Sequence, residues 1–300
     1  VLARNIAAWL IPGTWTVDDD GPADFHKIQE AINTASSGDT IYVYNGTYYE
    51  TVVVNKTLSL LGEDKSATFI DGRGIDTVVT LAANGSMISG FTIQESGVNE
   101  TKFIAGIFLN YTNYCTITNN NILNNQEGIT LLQSSNNIIA ENNIANNSEW
   151  GISLLFYSSN NTITGNEIKE DDDYGLFLLR SCHNTVSENN IKNNWVGLGL
   201  GYYSNNNTVS RNNVENNSYG ILFRESCFHN AIFHNNLVNN TEQVHDDGWE
   251  LDSQVTPSNN IWDDGYPSGG NYWSNYDGAD IYSGPYQNEP GSDGIGDTPY

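Results

Sequence analysis

The sequence predicts an all-β chain: a single-stranded parallel β-helix of about 10 rungs, each 22–24 residues, with a short N-terminal capping helix and an irregular C-terminal tail. Three observations predict it. Glycine recurs at Gly106, Gly128, Gly151, Gly175, Gly197 and Gly220, at intervals of 22, 23, 24, 22 and 23 residues. Each interval repeats one skeleton: G-[IL]-x-L, a Ser/Asn-rich turn, N-x-[IV]-x-x-N-x-[IVL], and a second Asn-rich turn. Asparagine follows the same schedule, with 33 of the 44 copies in residues 106–242.

The apolar segments of each unit are short and alternating, which reads as strands of three to five residues, too short for helices. Stacking successive turns of chain ~4.8 Å apart pairs each strand with its equivalent one repeat on. Aliphatic columns such as Ile117, Ile139, Ile163, Val186, Val209 and Ile232 then fill a common bore. Two residues before each aliphatic column stands a polar one. The first ladder is Cys115, Asn137, Asn161, Asn184, Asn207 and Asn230; the second is Asn120, Asn142, Asn166, Asn189, Asn212 and Asn235. A third is Asn125, Asn147, Asp171, Asn194, Asn217 and Asn240. A side-chain amide both donates and accepts, so stacked copies bond to one another and to turn backbone, and Asn tolerates the left-handed backbone that tight corners need. A leucine-rich repeat has a similar period but demands L-x-x-L-x-L spacing, which is absent.

Residues 40–105 read as earlier, less regular rungs. Before them Asp24–Ala35 reads as a short amphipathic helix, with Asp24 as N-cap and Phe25, Ile28 and Ile32 on one face, covering the open end of the stack. Three segments follow: a lead-in over 1–23, the β-helix with its cap helix over 24–242, and a Gly/Asp/aromatic cap or tail over 243–300. The opening VLARNIAAWLI lacks a signal peptide's basic head and long apolar core. It reads as a remnant of processing or as a β-strand, a β-prone segment able to join a neighbour's sheet edge.

The formal charge of −25, from 36 acidic and 11 basic residues, argues against nucleic acid as a partner, because phosphate binding needs clustered Lys and Arg. No apolar run reaches the ~18–20 residues of a membrane-spanning helix. Three cysteines without a CxxC pair give neither a disulfide framework nor a zinc site. Candidate N-glycosylation acceptors (Asn-x-Ser/Thr) are Asn45, Asn55, Asn84, Asn99, Asn110, Asn146, Asn160, Asn206, Asn216 and Asn239, which point to an extracellular, cell-surface location.

The stretch WTVDDDGPADFHKIQEAINTASSGDTIYVYNGTYYETVVVNKTLSLLGED, the N-x-I-x-x-N-x-I rungs, and GGNYWSNYDGAD…DGIGDTPY together resemble the right-handed β-helix proteins of the pectin-lyase-like superfamily, in its NosD-type branch. The resemblance runs from Gly13 to Tyr300 and implies a right-handed helix. Its members are described as copper-binding or carbohydrate-active repeat proteins and abound on methanogenic archaea. It also implies a tail that continues past the last residue here. The fold hosts lyases, hydrolases, adhesins and surface-layer proteins, so function has to come from the residues.

No complete catalytic constellation is present, and no cofactor is required. Calcium is the candidate metal, at Asp171, Asp172 and Asp173, where other rungs carry an Asn turn, and at Asp293 and Asp297 in a degraded D-x-[DN]-x-D-G-like loop. The bland alternative for the first group is a solvated acidic turn. Copper would need His183 and His229, two rungs or ~9.6 Å apart with Asn206 between, which is too far for one ion. Tail aromatics (Trp262, Tyr272, Trp273, Tyr276, Tyr282, Tyr286) read chiefly as packing over the end of the stack. The expected function is an extracellular, non-catalytic structural protein partnered by copies of itself, assembled head-to-tail or laterally. Binding or degradation of surface polysaccharide is the alternative, and periplasmic-type copper binding a second.

Overall fold

In the computed structural model, residues 12–249 and 256–298 are described; the VLARNIAAWLI segment lies outside them. The chain is a right-handed parallel β-solenoid of about ten turns. Three parallel sheets run its length, with ten, ten and nine strands among the described residues. Sheet 1 runs from Thr14–Val17 to Ala231–Phe233, sheet 2 from Gly46–Tyr48 to Tyr272–Trp273, and sheet 3 from Val52–Val54 to Glu242–Asp246. The register is that of the aliphatic columns: Ile117 pairs with Ile139, then Ile163, Val186, Val209 and Ile232 in turn. These residues are fully buried and belong to one continuous core.

Solenoid pairing extends on both sides of 24–242. Thr14–Val17 pairs with Thr40–Val43, and the last strand of sheet 3 runs to Asp246. Beyond it Ile261 bridges to Ala231, and Tyr272 and Trp273 pair with Asn236 and Leu237. Trp262 and Trp273 pack against the core, whereas Tyr272, Tyr282 and Tyr286 are exposed, so only part of the tail's aromatic set serves as a cap.

Helix α1 spans Ile28–Thr34, with Ile28, Ala31 and Ile32 buried. Its N-cap is Lys27, not Asp24. Asp24 is instead taken by Thr16, whose N–H and Oγ1 both donate to it at 2.9 and 2.8 Å. The orphan helix N–H groups of Ile28 and Gln29 donate to the Glu50 carboxylate at 2.9 and 3.1 Å, and Lys56 Nζ donates to the carbonyls of Ile32, Asn33 and Ala35. Both helix ends are therefore satisfied from other rungs, which no local capping pattern announces.

The ladders form as side-chain amides stacked in the corners. At each step Oδ1 of one Asn accepts from both the N–H and the Nδ2 of its counterpart below. Asn166 Oδ1 takes Asn142 N and Nδ2, both at 3.0 Å, and Asn189 Oδ1 takes Asn166 at 3.0 and 2.9 Å. The same Nδ2 donates to a carbonyl in the rung below, as Asn142 does to Ile117 at 3.0 Å. The left-handed backbone belongs to the residue before each ladder position: Asn136, Asn160, His183, Asn206 and His229 have φ of 57–59° ahead of the first ladder. The expectation that ladder asparagines themselves take this conformation is corrected: the ladder residues are not left-handed, and at Asn136, Asn160 and Asn206 it is the asparagine one place earlier that turns the corner. Two features escape the sequence pattern. Buried Ser134, Ser158, Ser181 and Ser204 form a fourth ladder, and Asn260 and Asn271, far along the chain, continue the first and second.

Removing one ladder amide strands buried donors and acceptors on both sides, each worth about 1–3 kcal/mol. Asn142→Ala is expected to cost about 3 kcal/mol in urea unfolding, and Asn143→Ala, whose half-buried amide faces outward, under about 0.5 kcal/mol. Equal losses at the two positions would contradict the ladder account.

Candidate functional site

Strands of sheet 3 are mostly six residues long against three in most of sheets 1 and 2, so this sheet presents the broadest outer face. Side chains alternate along a strand. In 174–179, Leu176 and Leu178 point into the bore and Phe177 points out; Tyr174, ahead of Gly175, joins the outer cluster as well, so the alternation is broken at the head of the strand. A second apolar cluster thus forms outside the solenoid: Tyr174, Phe177, Val196 and Leu222, with Trp150, Leu179 and Tyr219 against it.

The rings form a continuous chain. Trp150 meets Phe177 at 5.6 Å, Phe177 stacks on Tyr174 at 4.5 Å, and Tyr174 meets Trp195 at 6.1 Å. Trp195 meets Tyr219 at 5.7 Å, and Tyr219 meets His245 at 5.3 Å. Four rung steps separate Trp150 from His245, about 19 Å along the axis. Trp195, 42% exposed, is the outermost ring. Gly199 makes the packing possible: a Cβ there would lie 2.5 Å from the Tyr174 ring and 2.9 Å from Phe177.

Polar groups thread this strip. Trp150 Nε1 donates to Asp173 Oδ2 at 3.1 Å, and burial raises the Asp173 carboxyl above its usual range although this bond and Arg224 oppose the shift. Arg224 lies over the Tyr174 ring at 5.9 Å. Arg224 Nε and Tyr174 Oη are both buried without a protein partner. Burial pushes the Tyr174 hydroxyl up to about 12. One rung below Trp150, Glu127 is 2% exposed and held by the hydroxyls of Thr130 and Ser153. Burial pushes its carboxyl up to about 7 against those bonds. The repeat skeleton, which begins at the following glycine, does not single out Glu127; its column also holds Ala105, Tyr174, Val196, Tyr219 and Glu242.

The structure separates the predicted metal residues. Asp171 is buried inside the third ladder, Asp172 is exposed, and Asp173 turns to Trp150. Asp293 accepts from the N–H groups of Gly284 and Ile295, and Asp297 from those of Ile281 and Tyr282, so both act as loop staples. Among the described residues the carboxylates that converge are Asp18, Asp19 and Asp20, with ligand atoms within 4.8 Å of one another. Their placement on a surface turn is common for solvated acidic groups. His183 and His229 are exposed at one corner with Asn206 between them. Cys115 and Cys227 are buried, and burial pushes the Cys227 thiol up to about 12.

The glycosylation acceptors fall on the corners. Nine of the ten are exposed, with Asn99 half-buried. Asn55, Asn84, Asn110, Asn160 and Asn206 lie where sheet 3 turns to sheet 1, and Asn99, Asn146, Asn216 and Asn239 where sheet 2 turns to sheet 3. Asn45 sits between sheets 1 and 2. In Asn160, Asn206, Asn146, Asn216 and Asn239 the motif is built from the rung itself: an exposed left-handed Asn, the buried ladder Asn, then Thr or Ser.

A model of the right-handed β-helix region matches residues 105–262, over half the chain and six of its rungs. The chain belongs to the right-handed β-helix family. Over 103 residues it is 38% identical to a cell surface glycoprotein of Methanothermus fervidus, a match covering 33% of this chain and 16% of that protein. The chain therefore spans a small part of that relative's length. Among solved structures it is similar to pectate lyase Pel9A, at 13% identity and a TM-score of 0.58, covering 92% of this chain and 84% of that one. It is also similar to XylC in complex with xylose, at 11% identity and a TM-score of 0.59, covering 83% and 68%. Such identities show the fold alone. Among the described residues no helix is long and apolar enough to cross a membrane.

The ring chain depends on Gly199. Gly199→Val is expected to displace Tyr174, cost about 1–3 kcal/mol and alter the near-UV circular dichroism. An unchanged aromatic spectrum would show that the rings do not pack through this position.

Proposed function

We propose that the protein is an extracellular, non-catalytic structural component of the cell surface, glycosylated at its corners and associated with further copies of itself. The observation that carries this reading is the set of acceptor asparagines displayed at the corners of an internally bonded rod. The local similarity to a cell surface glycoprotein supports it. Helix α1 lies over the bore at one end, and Ile261 and Tyr272–Trp273 cover sheets 1 and 2 at the other, so association through the rod's sides fits better than head-to-tail stacking. The carboxylates of the outer strip are engaged as structural acceptors, which suits a non-catalytic role.

Protein isolated from its native source is expected to carry glycans at Asn160 and Asn206 by peptide mass spectrometry and to sediment as an oligomer. A strictly monomeric, unmodified protein would contradict the proposal.

The strip on sheet 3 favours one further reading, that this face holds a polysaccharide. The partly exposed rings of Trp150, Trp195 and Tyr219, one per rung apart from the buried Tyr174 rung, suit the apolar faces of sugars. Affinity electrophoresis across neutral and acidic polysaccharides is expected to find a ligand whose binding drops at least ~10-fold in Trp195→Ala. A retarded wild type with an equally retarded variant would place the ligand elsewhere.

A further inference from the structure

One rung breaks the third ladder. Asn125, Asn147, Asn194, Asn217 and Asn240 are amides; the sixth member is Asp171. Its Oδ1 behaves as an amide oxygen, accepting from Asn147 N at 2.9 Å and Asn147 Nδ2 at 2.8 Å. Its own N–H donates upward to Asn194 Oδ1 at 3.0 Å. Its second oxygen, Oδ2, is buried with no partner. In the other rungs the atom in that place is Nδ2, which donates to the next Oδ1 and to a carbonyl below; Asn147 Nδ2 reaches Asp171 Oδ1, and Asn217 Nδ2 reaches both Asn240 Oδ1 and the Ile191 carbonyl. An ionised Asp171 would turn a lone-pair-only oxygen toward acceptors. Gly151 packs directly against it: a Cβ added there would lie 2.5 Å from Oδ2.

We propose that Asp171 is a proton-operated latch: as a neutral acid it donates from Oδ2 and completes the ladder, and losing that proton opens the corner that carries Asp173 and Tyr174. The corner leads directly into the strip, since Asp173 N–H donates to the Glu149 carbonyl, Asp173 receives Trp150, and Tyr174 begins the strand. The charged neighbours do not favour the ionised form. Glu170 and Asp172 on the same corner are both acidic and raise the carboxyl further. Lys192, in the rung above, is tied to Glu167 at 2.7 Å, and Arg224 faces Asp173. Glu149, in the rung below, accepts from Gln126 at 2.8 Å. Burial is the largest cause and pushes the group from 3.8 up to about 8.

The sign follows from linkage. A carboxyl raised in the folded state holds a proton that the unfolded chain has already lost. Its contribution is full below about pH 4, is lost progressively as pH rises to about 8, and is constant above. This proposal stands independently of any polysaccharide reading.

The test uses the full chain in a Glu127→Gln background, which removes a second raised carboxyl; the third, Asp173, is present in every variant compared. Urea midpoints of the parent, Asp171→Asn and Asp172→Asn are compared from pH 4 to pH 9. The midpoint advantage of Asp171→Asn over the parent is expected to widen from pH 4 to pH 8 and then stay level, while Asp172→Asn tracks the parent. An advantage independent of pH, or a variant less stable throughout, overturns the proposal. A second readout needs no folded variant. The infrared carbonyl band of a protonated carboxyl is expected in the parent at pH 6, bleaching with a midpoint near 8; its absence at pH 6 overturns the protonated state. Tryptophan emission shifting over the same range in the parent but not in Asp171→Asn supports the opened corner, and an unshifted emission overturns that part.

Discussion

Everything in this molecule depends on buried side-chain amides stacked from rung to rung at its corners. A turn leaves backbone N–H and C=O groups without sheet partners, and burying them unpaired costs more than a rung's short strands return. Each ladder Asn answers this by accepting from the N–H and Nδ2 below, while its own amide closes a carbonyl and the next oxygen. Because one residue serves two rungs, the corner repeats without drift, and the bore columns stay in register for the length of the rod.

The sequence disclosed what is periodic. The glycine spacing, the aliphatic columns and the three Asn ladders appear where the spacing puts them, since a parallel stack places equivalent residues on top of one another. What it hid is not periodic. The caps of helix α1 come from Glu50 and Lys56, one rung away, and the continuations of two ladders come from Asn260 and Asn271 after long irregular connections. The fourth ladder, of Ser134, Ser158, Ser181 and Ser204, was masked because serine in a turn looks ordinary. Asp171 reads in the sequence both as a member of the third ladder and as one of three adjacent carboxylates; the ladder's inward geometry keeps the first role and separates it from Asp172 and Asp173.

The outer strip shows a second limit of pattern reading. Tyr174, Phe177 and Leu222 occupy outward positions that a regular rung would give to polar side chains, and they are buried by one another and by Trp150 and Tyr219. Gly199 and Gly201, one rung on, leave the space into which the rings lean. The departures of one rung are thus matched by departures in the next, a correlation invisible until the register is known. Nine of the ten glycosylation acceptors flank the same face, so the rod has one framed, aromatic side. The outer faces of sheets 1 and 2 carry chiefly Thr, Ser and Asn, with charged side chains such as Glu167, Lys192 and Glu215 on sheet 2.

Native-state hydrogen exchange tests the ladder claim most directly. The backbone N–H groups of Asn142, Asn166, Asn189 and Asn212, each donating to an Oδ1 in the next rung, are predicted to exchange only through global opening, as slowly as those of the neighbouring bore strands. If these N–H groups exchange as fast as those of exposed loop residues while the strands stay protected, the amide ladders do not hold the rungs together, and the account is wrong.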